Sequence, residues 1–140
     1  MTYSKVRRKT MPIPVEPAVL AVALVQVNGT CDVPVYIPWE NCKLTYAYTV
    51  TTVAEGNDGT VGIDLELDAA DGSAIGSIAI AQNASVGDID EIGTITEANA
   101  ENLSAIISDR DAINIEITGT VSGGTWEGML YMYFEPWEGE

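Results

Sequence analysis

Cys42, Leu44, Tyr46, Tyr48 and Val50 alternate with Lys43, Thr45, Ala47, Thr49 and Thr51. A period of two places the first set on an inner face and leaves the second in water, which is the signature of a half-buried strand. Val61, Ile63, Leu65 and Leu67 repeat it against Gly62, Asp64, Glu66 and Asp68. Between the two runs EGNDGT (55–60) supplies residues that tolerate positive φ, and AADG (69–72) ends the second run in the same way. The same periodicity predicts strands over 77–81, over 112–118 with Ile113, Ile115 and Ile117 inward, and over 127–135, the last two joined by SGGT (122–125). At the front, 19–27 runs into the turn NGT (28–30), and 33–37 is fenced by Pro34 and Pro38, which sets it near a sheet edge.

The interval 82–110 breaks this rhythm. Within it Thr96, Asn99 and Glu101 are placed to cap one or two helical turns over Ala98, Ala100, Leu103 and Ile107, and a long irregular crossover fits the same residues. Seven or eight short strands with turns between them and one long crossover predict an all-β fold, an antiparallel β-sandwich of jelly-roll-like form. Ahead of it MPIPVEP (11–17) is a proline-spaced extended linker, so the expected division is an arm over 1–17 and a sandwich domain over 18–140.

Charge changes the picture more than composition does. The chain has 140 residues, 46% of them hydrophobic and 19% charged, enough for one domain with a real core. Its net charge is −15, yet Lys5, Arg7, Arg8 and Lys9, four of its six basic residues, lie in the first ten positions, which hold no acid. The remainder sets Lys43 and Arg110 against all 21 carboxylates, a charge of −19. An arm of +4 on such a body points to an interaction tail, and the body itself repels nucleic acid and anionic membrane. The basic start followed by VEPAVLAVALVQV imitates a signal peptide, but three prolines and Glu16 stand where the apolar region should begin, so no cleaved leader is expected. No apolar run approaches the ~18 residues of a membrane-spanning helix.

Candidate chemistry is thin. There is no histidine, and Cys31 and Cys42 are too few for a disulfide framework; they could pair across a loop, and they also read as two semi-buried small hydrophobes. Asp64, Glu66, Asp68 and Asp71 mimic a calcium loop without its glycine and terminal glutamate, and read as the solvent face of a strand. GDIDE (87–91) is the better loop candidate for calcium, yet no metal site is assigned. Carboxylate pairs are plentiful and none stands out. A serine nucleophile without histidine needs a lysine base, and Lys43 alternates with inward residues and so faces water. No nucleophile elbow or phosphate-binding loop is present, so neither a catalytic residue nor a cofactor is expected and the chain is not read as an enzyme. The sequons at Asn28, Asn83 and Asn102 read as chance matches. The aromatics are more informative: Tyr36 and Trp39 lie in VYIPWE, and Trp126, Tyr131, Tyr133, Phe134 and Trp137 crowd the C-terminal stretch. Core packing accounts for several of them, and Tyr36, Trp39, Trp126 and Trp137 are candidates for a subunit interface or a sugar-stacking surface.

The runs CDVPVYIPWENCKLTYAYTV, the strand after NDGTV, GSIAIAQNASVGDID, TITEANAENLSA and DAINIEITGTVSGG together span about residues 30–123. They resemble small bacteriophage proteins of the capsid-decoration (cement) type, in which VPVYIPF-like and GDID-like phrases occupy comparable places. The resemblance implies a β-sandwich that trimerises on the outer surface of an icosahedral head and binds the major capsid protein, with an N-terminal arm reaching onto the shell and no active site. This chain departs from the pattern in its basic first ten residues and its aromatic tail EPWEGE. The expected role is therefore a structural virion protein anchored through Lys5, Arg7, Arg8 and Lys9. The alternative is a carbohydrate- or receptor-binding module of a fibre or surface protein, with Trp39, Trp126 or Trp137 as platforms. An arm that touches packaged genome is a third reading, which the acidic body opposes.

Overall fold

In a computed structural model of the chain the described residues are 18–26, 30–37, 42–55, 60–67, 73–101, 103, 112–119, 121 and 125–137. The arm, with Lys5, Arg7, Arg8 and Lys9, lies outside them, as do Trp39, Asp68, Asp71 and most of the turn tetrads named above. The strands are β1 (Ala18–Gln26), β2 (Cys31–Tyr36), β3 (Cys42–Glu55), β4 (Val61–Leu67), β5 (Ser73–Ile80), β6 (Ile89–Glu91), β7 (Ala112–Gly119) and β8 (Thr125–Pro136), with one helical turn, α1 (Glu97–Ala100), after β6.

Two four-stranded sheets result, sheet A in the order β1-β8-β3-β6 and sheet B in the order β2-β7-β4-β5. Every pairing is antiparallel. The pairs β1–β8, β2–β7, β3–β6 and β4–β5 are those of one long ribbon folded back on itself at the β4–β5 hairpin. Contacts of β3 with β8 and of β4 with β7 then wind that ribbon into two layers. The chain is thus an antiparallel β-sandwich, as its periodicity requires.

Alternation fills the space between the sheets. Along β8 the inward positions are Trp126, Gly128, Leu130, Met132 and Phe134, and along β7 they are Ile113, Ile115 and Ile117. Val61, Ile63 and Leu65 of β4 and Ile75, Ile78 and Ile80 of β5 complete sheet B's inner face. Each such side chain, fully removed from water, contributes about 1.5–3 kcal/mol before the entropy of ordering it is subtracted.

Three expectations are corrected. In β3 the inward set does not continue past Leu44: Leu44 pairs with Phe134 and Tyr46 with Tyr133, which leaves Thr45 as a bulged residue. One extra residue exchanges the two faces as far as Thr51, so Ala47, Thr49 and Thr51 are buried while Tyr46, Tyr48 and Val50 turn outward; a second shift, between Thr51 and Val53, restores the original phase and sets Val53 opposite the outward Glu127. GDIDE is not an open loop, because Ile89–Glu91 forms β6 against β3. Glu66 is not on a wet face either, being 7% exposed. It sits on a central strand of sheet B opposite the buried Asn114, where neighbouring strands wall it off.

Two devices close the sides of the sandwich. After β6 the chain leaves sheet A for sheet B, as Ile92 N donates to Ala47 O (2.9 Å), Gly93 N to Ser77 O (3.0 Å) and Thr96 N to Ile75 O (2.8 Å). The free edge of β5 is thereby covered without a further strand. Among its described residues the crossover contains one helical turn, begun at Thr96 without a side-chain cap, and then a bridge in which Leu103 and Cys42 exchange backbone hydrogen bonds; Ile107 lies outside the described residues. On the opposite side Gln26 Nε2 reaches from β1 to the carbonyls of Thr118 (2.6 Å) and Gly119 (3.2 Å) on β7.

Candidate functional site

The bulge at Thr45 creates the most distinctive surface among the described residues. Tyr46 and Tyr48 point the same way because they are two residues apart on one strand, and their cross-strand partners on β8 are Tyr133 and Tyr131. Four tyrosines consequently meet on the outer face of sheet A. Tyr48 stacks on Tyr131 with ring centroids 5.1 Å apart and planes 25° from parallel. Tyr46 lies 5.8 Å from both Tyr48 and Tyr133, and Tyr48 lies 6.1 Å from Tyr133, all tilted. Such pairs hold one another in place, so the face is ordered before anything binds it.

Around the tyrosines the same face carries Val50 and Met129, then Ile89 of β6 on one side and Val19, Ala21, Ala23 and Val25 of β1 on the other. Ile89 is 60% exposed, Val19 45% and Val25 42%, high values for aliphatic side chains grouped on one surface. Charge is confined to the margins. Glu91 lies beside Tyr48, Glu127 beside Val25 and Val53, and Lys43 faces Glu135 at the far end. An uncharged centre inside a polar rim is the anatomy of a protein-contact surface.

The margin tunes the tyrosines. Tyr46 Oη donates to Glu91 Oε1 at 2.7 Å, and this bond, helped by partial desolvation and the carboxylate's charge, pushes the Tyr46 hydroxyl up to about 12. Tyr48 is raised as well, first through its side-chain hydrogen bond with Tyr133. Both remain neutral and hydrogen-bonded at any physiological pH.

A second cluster lies on the outer face of sheet B. Asp32, opposite Glu116 across the β2–β7 ladder, and Glu66 of β4 bring carboxylate oxygens within 4.8 Å of one another. Asn114 Nδ2 donates to Asp32 Oδ1 at 2.8 Å and fixes that carboxylate. Sequence reasoning missed this trio because its members come from three strands. A local signal existed only in the alternating acids of β4, and Asp64 is not part of the group.

The residues singled out from the sequence are dispersed. Trp126 is a correction: it is completely buried, its Nε1 donating to Thr51 Oγ1 at 3.1 Å, so it is core and offers no platform or interface. Tyr36 ends β2, on the other sheet from the tyrosine face, and Trp137 is half-buried just beyond β8. The acids of GDIDE do not converge. Asp88 Oδ2 accepts Ser85 N at 2.8 Å, Glu91 accepts Tyr46, and Asp90 pairs with the inward Thr49, its Oδ2 buried without a hydrogen bond. Cys31 and Cys42 are free thiols on different sheets, Cys42 buried with its thiol pushed up to about 12 by desolvation. Lys43 lines a shallow pocket of about 140 Å³ with Glu97 and Glu101, small beside the roughly 300–1,000 Å³ of ordinary ligand sites.

No protein-family model matches the chain, and no curated protein matches its sequence. Among solved structures it is similar to a subunit of the Bacillus endospore appendages, a novel family of disulfide-linked pili, with a TM-score of 0.45 and 16% identity over 86% of this chain and 89% of that one. It is also similar to VP2 of the infectious bursal disease virus subviral particle, with a TM-score of 0.46 and 14% identity over 86% of this chain and 32% of that one. A structure of the Gx strain of the same virus gives 0.43 and 15% over 89% and 33%. The chain therefore spans about a third of the virus chains. At this level of likeness neither role nor partner follows.

Proposed function

We propose that this chain is a structural subunit without catalytic function, which decorates the outside of a phage capsid as a trimer held down by its N-terminal arm. The observation that carries the reading is the outer face of sheet A. In a chain of charge −15 that face is tyrosine, valine and alanine with charge only at its rim. Ordered aromatic side chains with few rotatable bonds lose little entropy when covered, which suits them to lasting protein contact. The wound-ribbon strand order supports reading the sandwich as an eight-stranded jelly roll, an architecture common in viral shells but not diagnostic of them.

The arm supplies the anchor. Lys5, Arg7, Arg8 and Lys9 make charge-assisted bonds to carboxylates of the major capsid protein, and the stiff linker MPIPVEP has little freedom to lose. Each exposed pair contributes at most about 1 kcal/mol, so attachment depends on three arms acting together. Deleting residues 1–10 is expected to leave the sandwich folded and to abolish retention on purified capsids in a co-sedimentation assay. Undiminished retention of the truncated chain refutes the anchoring role.

The tyrosine face also supports a second reading, a carbohydrate-binding module, because aromatic rings beside a carboxylate such as Glu91 are what a sugar ring stacks and hydrogen-bonds against. Its platforms are Tyr46, Tyr48, Tyr131 and Tyr133, Trp126 being buried. Saturable quenching of tyrosine fluorescence by one glycan, abolished in Tyr48→Ala, favours this reading over the first.

A further inference from the structure

The outer face of sheet A is open among the described residues, and its chemistry identifies what covers it. We propose that the occupant is a second copy of this chain, which packs on the surface centred on Tyr48, Tyr131 and Ala23. The inference rests on the structural-subunit reading and adds to it a two-fold, face-to-face contact between copies, which is separate from the contact that closes a trimer.

Two copies of charge −15 repel one another over most of their surfaces, so close approach needs a region from which charge is absent. The centre of this face is such a region. Its size is also adequate. Three strands about 4.8 Å apart and about nine residues at roughly 3.4 Å each, with the three residues of β6 beside them, outline roughly 500 Å². Two faces together therefore bury about 1,000 Å² or more once side-chain relief is counted, which is the level a specific contact requires. The face continues onto β1, the outer strand of sheet A, whose nine residues AVLAVALVQ contain no charge and no proline. Edge strands usually carry one or the other to prevent pairing with another chain. Their absence here is expected of an edge that is covered in the assembled state.

The test is sedimentation equilibrium of the full chain over a concentration series, beside Ala23→Lys and Ala79→Lys. Ala23 and Ala79 are both exposed, the first on the outer face of sheet A and the second on that of sheet B, and neither fills the core. Each lysine changes the net charge from −15 to −14 and so slightly eases general repulsion. Only a direct obstruction of the contact can weaken association. The wild-type chain is expected to associate, Ala23→Lys to weaken association at least about tenfold, and Ala79→Lys to leave it within about twofold. Circular dichroism confirms that each variant is folded; if Ala23→Lys is not, Val19→Lys on the same face is read in the same way.

A wild-type chain that stays monomeric, or a folded face variant that associates like wild type, overturns the inference, as does equal weakening by Ala79→Lys. The capsid assay separates this from the underlying reading. Face-dependent association without capsid retention refutes decoration alone, and arm-dependent retention of a monomeric chain refutes the second-copy contact, and the trimer with it, while decoration through the arm stands.

Discussion

Trp126 and Gly128 form a lock at the residue scale. Both face inward on β8, and a Cβ added to Gly128 would stand 2.6 Å from two ring carbons of Trp126 and 3.0 Å from Val50 O. The ring cannot retreat because it is fully buried and tied to Thr51 Oγ1. Gly128→Ala is therefore expected to destabilise the fold by about 1–3 kcal/mol through overpacking. Trp126→Phe leaves the Thr51 hydroxyl without its donor inside the core and is expected to cost about 1–2 kcal/mol. Urea unfolding followed by circular dichroism measures both. The tyrosines give a second residue-scale prediction. Tyr46 has a folded-state pKa raised to about 12, so the stability due to its raised affinity for the proton is fully present below the ordinary tyrosine value near 10 and is lost as pH rises through 12. Spectrophotometric titration near 295 nm should show a late-ionising group in the native chain that disappears in Tyr46→Phe. The aromatic cluster was visible in the sequence as a crowd of rings, but not which of them were exposed: Trp126 and Tyr131 are both on β8, and only their parity separates core from surface.

At the scale of elements, the bulge in β3 decides what sheet A presents. Without the extra residue at Thr45, Tyr46 and Tyr48 would follow Cys42 and Leu44 inward, and the buried Ala47, Thr49 and Thr51 would be in water. A bulge leaves no compositional mark, since Thr45 is an ordinary strand residue, so the alternation was legible and its phase was not. The segment after β6 shows the same limit. It had no periodicity to reveal that it would seal an edge, yet Gly93 N and Thr96 N bond to β5 while Asn99 Nδ2 donates to Ala74 O at 2.7 Å. Amide exchange of Gly93 and Thr96 is expected to be as slow as that of β5 itself, although Gly93 and Thr96 are solvent-exposed and outside any strand. Asn99→Ala is expected to accelerate exchange at Thr96 more than at Gly93, and hydrogen–deuterium exchange resolved by residue measures both.

On the scale of the whole molecule, charge and topology act together. The wound ribbon makes sheet A from the first, third, sixth and last strands, so its outer face collects residues from both ends of the chain. Val19 and Tyr133, 114 positions apart in the sequence, are neighbours on it. β1 begins at Ala18, at the end of the tyrosine face near Tyr133, and the basic arm precedes it directly in the sequence. The proposed arm attachment would rest on surface ion pairs, so raising ionic strength from low to about 0.5 M is expected to release the chain from capsids, since the screening length falls to a few ångströms. The proposed copy-to-copy contact through the tyrosine face would rest on apolar burial and is expected to persist or strengthen in the same titration. Light scattering and capsid co-sedimentation across one salt series measure the two together.

The sequence by itself determined that the chain is a β-sandwich, where seven of the eight described strands lie to within a few residues, and that four of the six basic residues gather at one end. Period-two alternation, turn residues and charge are local quantities and survive without tertiary information. Tertiary structure decided which tyrosines face out, that Ile89–Glu91 is a strand, and that Asp32, Glu66 and Glu116 meet. Each of these depends on register between segments distant in the chain. Register is set by how two sheets pack their inner faces together, and a single bulged residue reverses it.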